Sequence, residues 1–150
     1  MADSRFVYVT YIRTTPEKLW EALTEPEFHL QYFLGAQMQS DWEKGSAWKM
    51  VYPDGRVTDS GEIVDVDPPR RLVIKWRNEF MPDVKADGYT HCTFVIEQEG
   101  DMMKLAVTHA ADGPHRLLEH VGNGWPLVLS SLKSLLETGK GLSRPASKAA

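Results

Sequence analysis

Cysteine is nearly absent: Cys92 stands alone in 150 residues. No intrachain disulfide can staple the fold, and with no signal peptide ahead of Phe6 this fits a reducing cytoplasm. Long apolar runs are missing too. The longest cover a few residues, far short of the ~20 that a membrane-spanning helix requires, so no span is expected. Nor is there a surplus of positive charge. Seventeen Lys and Arg face 21 Asp and Glu, a net charge of −4. No basic run interleaves with aromatics, which argues against nucleic acid as a partner.

Several chemistries lack their signatures. Among His29, His91, His109, His115 and His120 no pair sits at i, i+4 beside a Glu. There is no second thiol, so neither a metal site nor a metal cofactor is expected. No G-x-S-x-G elbow and no glycine-rich phosphate loop occurs. Cys92 alternates with Phe94 and Ile96, and a thiol in apolar surroundings has a raised pKa and is a poor nucleophile. No catalytic constellation and no organic cofactor are expected.

What the chain does have is aromatic side chains, five each of Trp, Tyr and Phe, and one strongly amphipathic stretch. From Gly124 to Leu136, apolar residues fall at Trp125, Val128, Leu129, Leu132, Leu135 and Leu136. That is a helical period with one broad stripe. Ser130, Ser131, Lys133, Ser134 and Glu137 take the opposite, water-facing side. Asn123 offers an N-cap, Pro126 fits the first turn and Gly139 ends the pattern. Such a helix needs a large apolar surface to lie on, and most of what precedes it reads as strand.

Residues 5–12 are β-branched and aromatic, as a strand requires. Thr15-Pro16-Glu17 starts a helix with a Thr cap and an acidic first turn, bearing Leu19, Trp20 and Leu23 on one face. Pro26 stops it, and residues 27–33 form a second short helix. A β-meander follows: strands at 36–41, 47–52, 56–66, 71–76, 89–98 and 102–109, with Gly61 a candidate bulge. Residues 77–87 show no regular pattern, and Phe80 and Met81 there either cap a pocket mouth or pack on the sheet edge. Residues 114–121 make a preliminary helix, or the first part of one kinked at Gly122 and Gly124. The order predicts an α+β fold with segregated helices. One domain over 5–140 is expected, followed by a disordered tail at 141–150.

Three segments resemble a known family. Residues 15–27, T-P-E-K-L-W-E-A-L-T-E-P-E, are similar to the first-helix motif of the START-like (SRPBCC, helix-grip) superfamily. Residues 61–72, G-E-I-V-D-V-D-P-P-R-R-L, are similar to its mid-sheet motif. Gly124-Trp125-Pro126 through Glu137 resembles the last helix of one branch, the activator-of-Hsp90-ATPase homologue-like domains. The resemblance implies a curved seven-stranded antiparallel sheet wrapped around the C-terminal helix, two short helices after the first strand, and a cavity between helix and sheet. It implies less about activity, because the superfamily holds lipid and hormone binders, polyketide cyclases and chaperone activators. At 150 residues the sequence is expected to be without the additional N-terminal domain of the eukaryotic activators.

Alternation places Trp48, Met50, Tyr52, Trp76, Cys92, Phe94, Val107 and His109 on the inward face, opposite Trp125 and Leu129 of the helix. These ten are the candidate ligand contacts, since an aromatic cavity with a few polar tips suits a small molecule. The same pattern also describes an ordinary sheet core whose polar atoms are satisfied. Three readings follow. The first is a module that binds an apolar or amphipathic small molecule. The second is an interaction protein for an Hsp90-type chaperone. The third is a cyclase- or hydratase-like enzyme in which His109 or a pocket carboxylate moves a proton. Glu62 is ambiguous in facing. A homodimer is also compatible with the sequence.

Overall fold

The computed structural model describes residues 4–142. Eleven elements run β1 (Ser4–Ile12), α1 (Pro16–Thr24), α2 (Pro26–Tyr32), β2 (Gln37–Ser40), β3 (Ala47–Val51), β4 (Val57–Asp67), β5 (Arg71–Asn78), α3 (Pro82–Ala86), β6 (Thr90–Glu99), β7 (Met102–Ala111) and α4 (Arg116–Thr138). The strands form one antiparallel seven-stranded sheet in the order β1-β7-β6-β5-β4-β3-β2. Every neighbour except β1 is a sequential hairpin partner. The first strand instead pairs with the last, Phe6 opposite His109. With the helices gripped by one sheet face, this is the α+β helix-grip architecture.

The inner face follows the period of two. Leu72, Ile74 and Trp76 on β5, Cys92, Phe94 and Ile96 on β6, and Met103, Leu105 and Val107 on β7 are all buried. Against them lies α4, which buries Trp125, Val128, Leu129, Leu132 and Leu135; each contributes about 1.5–3 kcal/mol of transfer free energy. α1 begins as its sequence dictates: the Thr15 side chain accepts from the Lys18 N–H at 3.2 Å, with Pro16 in the first turn. Its Leu19 and Leu23 are buried while Trp20 is only partly covered.

Two bulges bend β4. Met50 pairs with Asp59 but Val51 with Val57, leaving Thr58 as the extra residue; Ile63 pairs with Ile74 but Asp65 with Val73, leaving Val64. Extra residues increase local twist, which helps the sheet wrap α4. Gly61 is therefore not a bulge. It is the point where β4 lies against β5: a Cβ there would sit 1.7 Å from the Lys75 carbonyl oxygen.

The structure corrects four further expectations. α4 is one helix from Arg116, the second of the two alternatives for residues 114–121, and it is capped not by Asn123 but by His115, whose Nδ1 accepts from the Leu117 N–H at 3.1 Å. Pro126 is thus in the helix interior, where it deprives the Gly122 carbonyl of its usual donor; packing on the sheet overrides that local preference. Residues 77–87 contain a short helix, α3. Ser131 is fully buried rather than water-facing, because the chain after Gly139 folds back and the Leu142 N–H donates to Ser131 Oγ at 2.9 Å. Gly141 and Leu142 are accordingly anchored, while 143–150 of the expected disordered tail lie outside the described residues.

Candidate functional site

A cavity of about 340 Å³ opens between the sheet and the first half of α4. Its walls come from four places: Phe33 and Ala36 after α2, Met50 and Tyr52 at the end of β3, Asp59, Trp76 and Asn78 from β4 and β5, and Leu117, His120, Val121, Gly124, Trp125 and Val128 from α4. Met81 closes one side, just before α3. A larger depression of about 650 Å³ lies around Gly61 on the sheet, but Lys49, Glu62 and Lys75 line it together with other polar groups. The smaller cavity is the more apolar of the two, with a few convergent polar groups.

At its polar end is Asp59, buried and accepting the Trp76 indole N–H at Oδ2 over 2.7 Å. The Asn78 amide reaches the same oxygen at 3.4 Å. Burial raises the Asp59 pKa, the Trp76, Thr58 and Asn78 side chains oppose that rise, and the charge of nearby Glu79 adds to it. Asn78 is itself held in place, its Oδ1 accepting from the backbone N–H groups of Phe80 and Met81 at 3.1 and 2.7 Å. Glu79 is placed in a different environment. Burial pushes its carboxyl up, but hydrogen bonds from Arg77, Ser60 and Lys85 outweigh that and hold it at about 2.

Of the ten candidate ligand contacts, Met50, Tyr52, Trp76 and Trp125 line this cavity. Tyr52 does so from beyond the bulge at Thr58, and it is 38 % exposed rather than inward like Trp48 and Met50. Trp48, Cys92, Phe94, Val107, His109 and Leu129 are buried in the core around it. Trp48 packs on Trp76 with ring centroids 4.4 Å apart. Burial pushes the Cys92 thiol pKa well up, which keeps it an unreactive core residue. Glu62 is exposed and faces the depression around Gly61. Phe80 stays exposed beneath the Arg56 guanidinium, 4.3 Å from its ring centroid.

His109 is fully buried with both ring nitrogens engaged. The Thr90 hydroxyl donates to the Trp76 carbonyl at 3.1 Å, so toward His109 Nε2, 2.7 Å away, it acts as acceptor. His109 therefore carries its proton on Nε2, and Nδ1 accepts the Trp125 indole N–H at 3.3 Å. Burial, with the charges of His115 and His91, lowers its pKa to about 3. His29 repeats the arrangement, Nε2 on the Leu23 carbonyl and Nδ1 accepting from the Met38 N–H. Both are neutral pins between elements.

Asp59, Asn78 and His120 were absent from the alternation-based set. For the first two the signal existed: Asp59 shares the parity of Ile63, and Asn78 that of Trp76, one step past the expected strand end. His120 comes from the part of α4 that the glycines had separated from the main stripe. Among the described residues no group of three or more His, Cys, Asp or Glu is close enough to hold a metal ion, and no helix is long and apolar enough to cross a membrane.

Residues 13–137 match the family model described as Activator of Hsp90 ATPase homolog 1-like protein. The chain belongs to this family. Over 70 residues this AHSA1-like chain is 36% identical to the human activator of 90 kDa heat shock protein ATPase homolog 1, covering 47% of the chain but only 19% of the human protein. An Aha1 dimer from Colwellia psychrerythraea superposes with a TM-score of 0.74 at 21% identity, covering 92% of this chain and 99% of that one. An HSP90 activator from Plasmodium falciparum gives 0.71 at 22% identity, covering 88% and 95%. At these identities the structural likenesses establish the shared fold.

Proposed function

We propose that this AHSA1-like domain is a small-molecule-binding module that holds one apolar or amphipathic ligand between β3–β5 and α4. The observation that carries this reading is the 340 Å³ cavity, walled by Phe33, Trp76 and Trp125 and ending at the buried Asp59. A sheet core without a ligand role would close such a space with side chains, as the Cys92–Phe94–Val107 region does. The single buried thiol suits a cytoplasmic setting. Native mass spectrometry of protein purified from its own host tests the reading. It expects one extra mass per chain, lost on denaturation and lost when Val128→Trp fills the cavity. A wild-type protein that is always bare, and that shows no saturable change in Trp fluorescence across an apolar library, overturns it.

A second reading follows from the family and from the match to the human activator: the chain docks on an Hsp90-type chaperone. It predicts stimulation of the ATPase of the host's own Hsp90, and no binding and no stimulation removes it. Self-association belongs to the same reading, the Colwellia structure being a dimer. The enzyme reading loses its first candidate, because His109 is enclosed by Thr90 and Trp125 and does not line the cavity.

A further inference from the structure

We propose that the ligand class of this cavity is a small organic amine, bound as its ammonium ion against the Asp59 carboxylate with its apolar body among the rings of Phe33, Tyr52, Trp76 and Trp125. The inference rests on the cavity-binding reading above and specifies its chemistry.

Three observations carry it. First, among the described residues Asp59 is the one Asp, Glu, Lys or Arg in the cavity wall, and the groups on it, the Trp76 indole, the Asn78 amide and the Thr58 hydroxyl, are neutral. A buried carboxylate without a cation is costly, and an opposite charge brought to it relieves that cost. Its neighbour Glu79 shows the contrast, with Arg77 and Lys85 both on its carboxylate. Second, four aromatic side chains line the same space, Trp76 and Trp125 edge to face with centroids 5.9 Å apart. Ring faces attract a cation and accommodate the apolar remainder of an amine. Third, the Trp76 and Asn78 donors both reach Asp59 Oδ2, with the Thr58 hydroxyl beside the same carboxyl, and a carboxylate offers about four acceptor sites, so capacity remains for an N⁺–H donor. An anionic ligand would meet Asp59 repulsively, and a purely apolar one would bury the carboxylate further without a partner.

The test is calorimetric titration at neutral pH with 4-phenylbutylamine and with its neutral counterpart 4-phenylbutan-1-ol, on wild type and Asp59→Asn. Wild type should bind the amine at least about tenfold more tightly than the alcohol, as a desolvated ion pair predicts. Asp59→Asn should abolish that preference, with the amine falling to the affinity of the alcohol or below, and a cooperative urea transition reports that the variant is folded. If that variant does not fold, the Trp76 indole N–H resonance of wild type serves instead, since it is bonded to Asp59. It should move on saturation with the amine, and an unmoved resonance overturns the proposal. Equal or tighter binding of the alcohol overturns the amine class while leaving a binding cavity in place. A preference that survives in Asp59→Asn overturns it as well. Binding of neither probe counts against the amine class and the cavity reading together.

Discussion

The indole N–H of Trp125 donates to Nδ1 of His109 at 3.3 Å, tying the last helix to the last strand. The bond exists only while that nitrogen is bare, so the helix–sheet joint depends on His109 remaining neutral. Its counterpart His29 joins the end of α1 to β2 on the same terms.

Stability should fall in mild acid. Burial is the main cause that holds His109 at about 3 and His29 at about 4, whereas the unfolded chain takes up these protons near pH 6.5. Below that value the unfolded state binds more protons than the native one, so lowering the pH favours unfolding by up to ~1.4 kcal/mol per unit for each ring. Asp59 acts in the opposite sense. Its carboxyl is raised by burial, so its effect erodes stability as pH rises through the window above the unfolded carboxylate value, and it offsets part of the histidine effect. The two rings alone account for a loss of up to ~4 kcal/mol between pH 7 and pH 5, and urea unfolding at the two values should show a net loss. Equal stability at the two values would contradict the buried neutral rings.

Gly61→Ala should be among the most damaging single-methyl substitutions in the chain. The added Cβ would fall 1.7 Å from the Lys75 carbonyl oxygen and 2.7 Å from its carbon. Both belong to the central β4–β5 ladder and cannot swing aside as a side chain would. A loss of at least ~3 kcal/mol is expected, above the usual range for overpacking, measured as the urea midpoint or as failure to accumulate folded protein. A near-neutral result would mean that the two strands are further apart than described.

Trp48 and Trp76 lie in contact, yet their removal should have unequal effects. Trp48 Nε1 is buried with no hydrogen-bond partner among the described residues, so Trp48→Phe discards a desolvated donor and offsets part of the lost packing; about 1 kcal/mol or less is expected. Trp76→Phe strips Asp59 of its 2.7 Å donor and leaves a buried carboxyl under-satisfied, at a further ~1–3 kcal/mol. Chemical denaturation of the two variants side by side measures the difference. Equal losses would show that the indole–carboxyl bond adds nothing to stability.

The sheet was legible because its signals are local. Leu72, Ile74 and Trp76, or Cys92, Phe94 and Ile96, need only the alternation of a pleat to be placed on the inner face. Asp59 was harder because Thr58 interrupts the count between it and β3, and a bulge does not announce itself in residue type. Ser131 was misread because its partner, the backbone of Leu142, arrives through a turn that no periodicity describes. α4 looked shorter than it is because Gly122, Gly124 and Pro126 all disfavour helix locally, and the contact of Trp125 with His109, Trp76 and Phe94 outweighs them. His109 was placed on the correct face, but only its three-dimensional neighbours reveal that both nitrogens are already engaged.

The pairing of β1 with β7 sets a timetable for the chain's birth. Phe6 meets His109 about a hundred residues downstream, which at ribosomal rates of roughly 5–20 residues per second is ~5–20 s of synthesis. Throughout that interval the first strand, with Val7, Val9 and Tyr11 on its outer side and Phe6 and Tyr8 on its inner side, has no sheet to join. The meander from β2 to β6 can assemble hairpin by hairpin as it emerges, but the edge that closes the grip waits for β7. A nascent chain arrested before residue 102 should therefore present a folded or half-folded meander beside an unclaimed, aromatic-rich N-terminus, the form in which this protein is most exposed to chaperones and to aggregation.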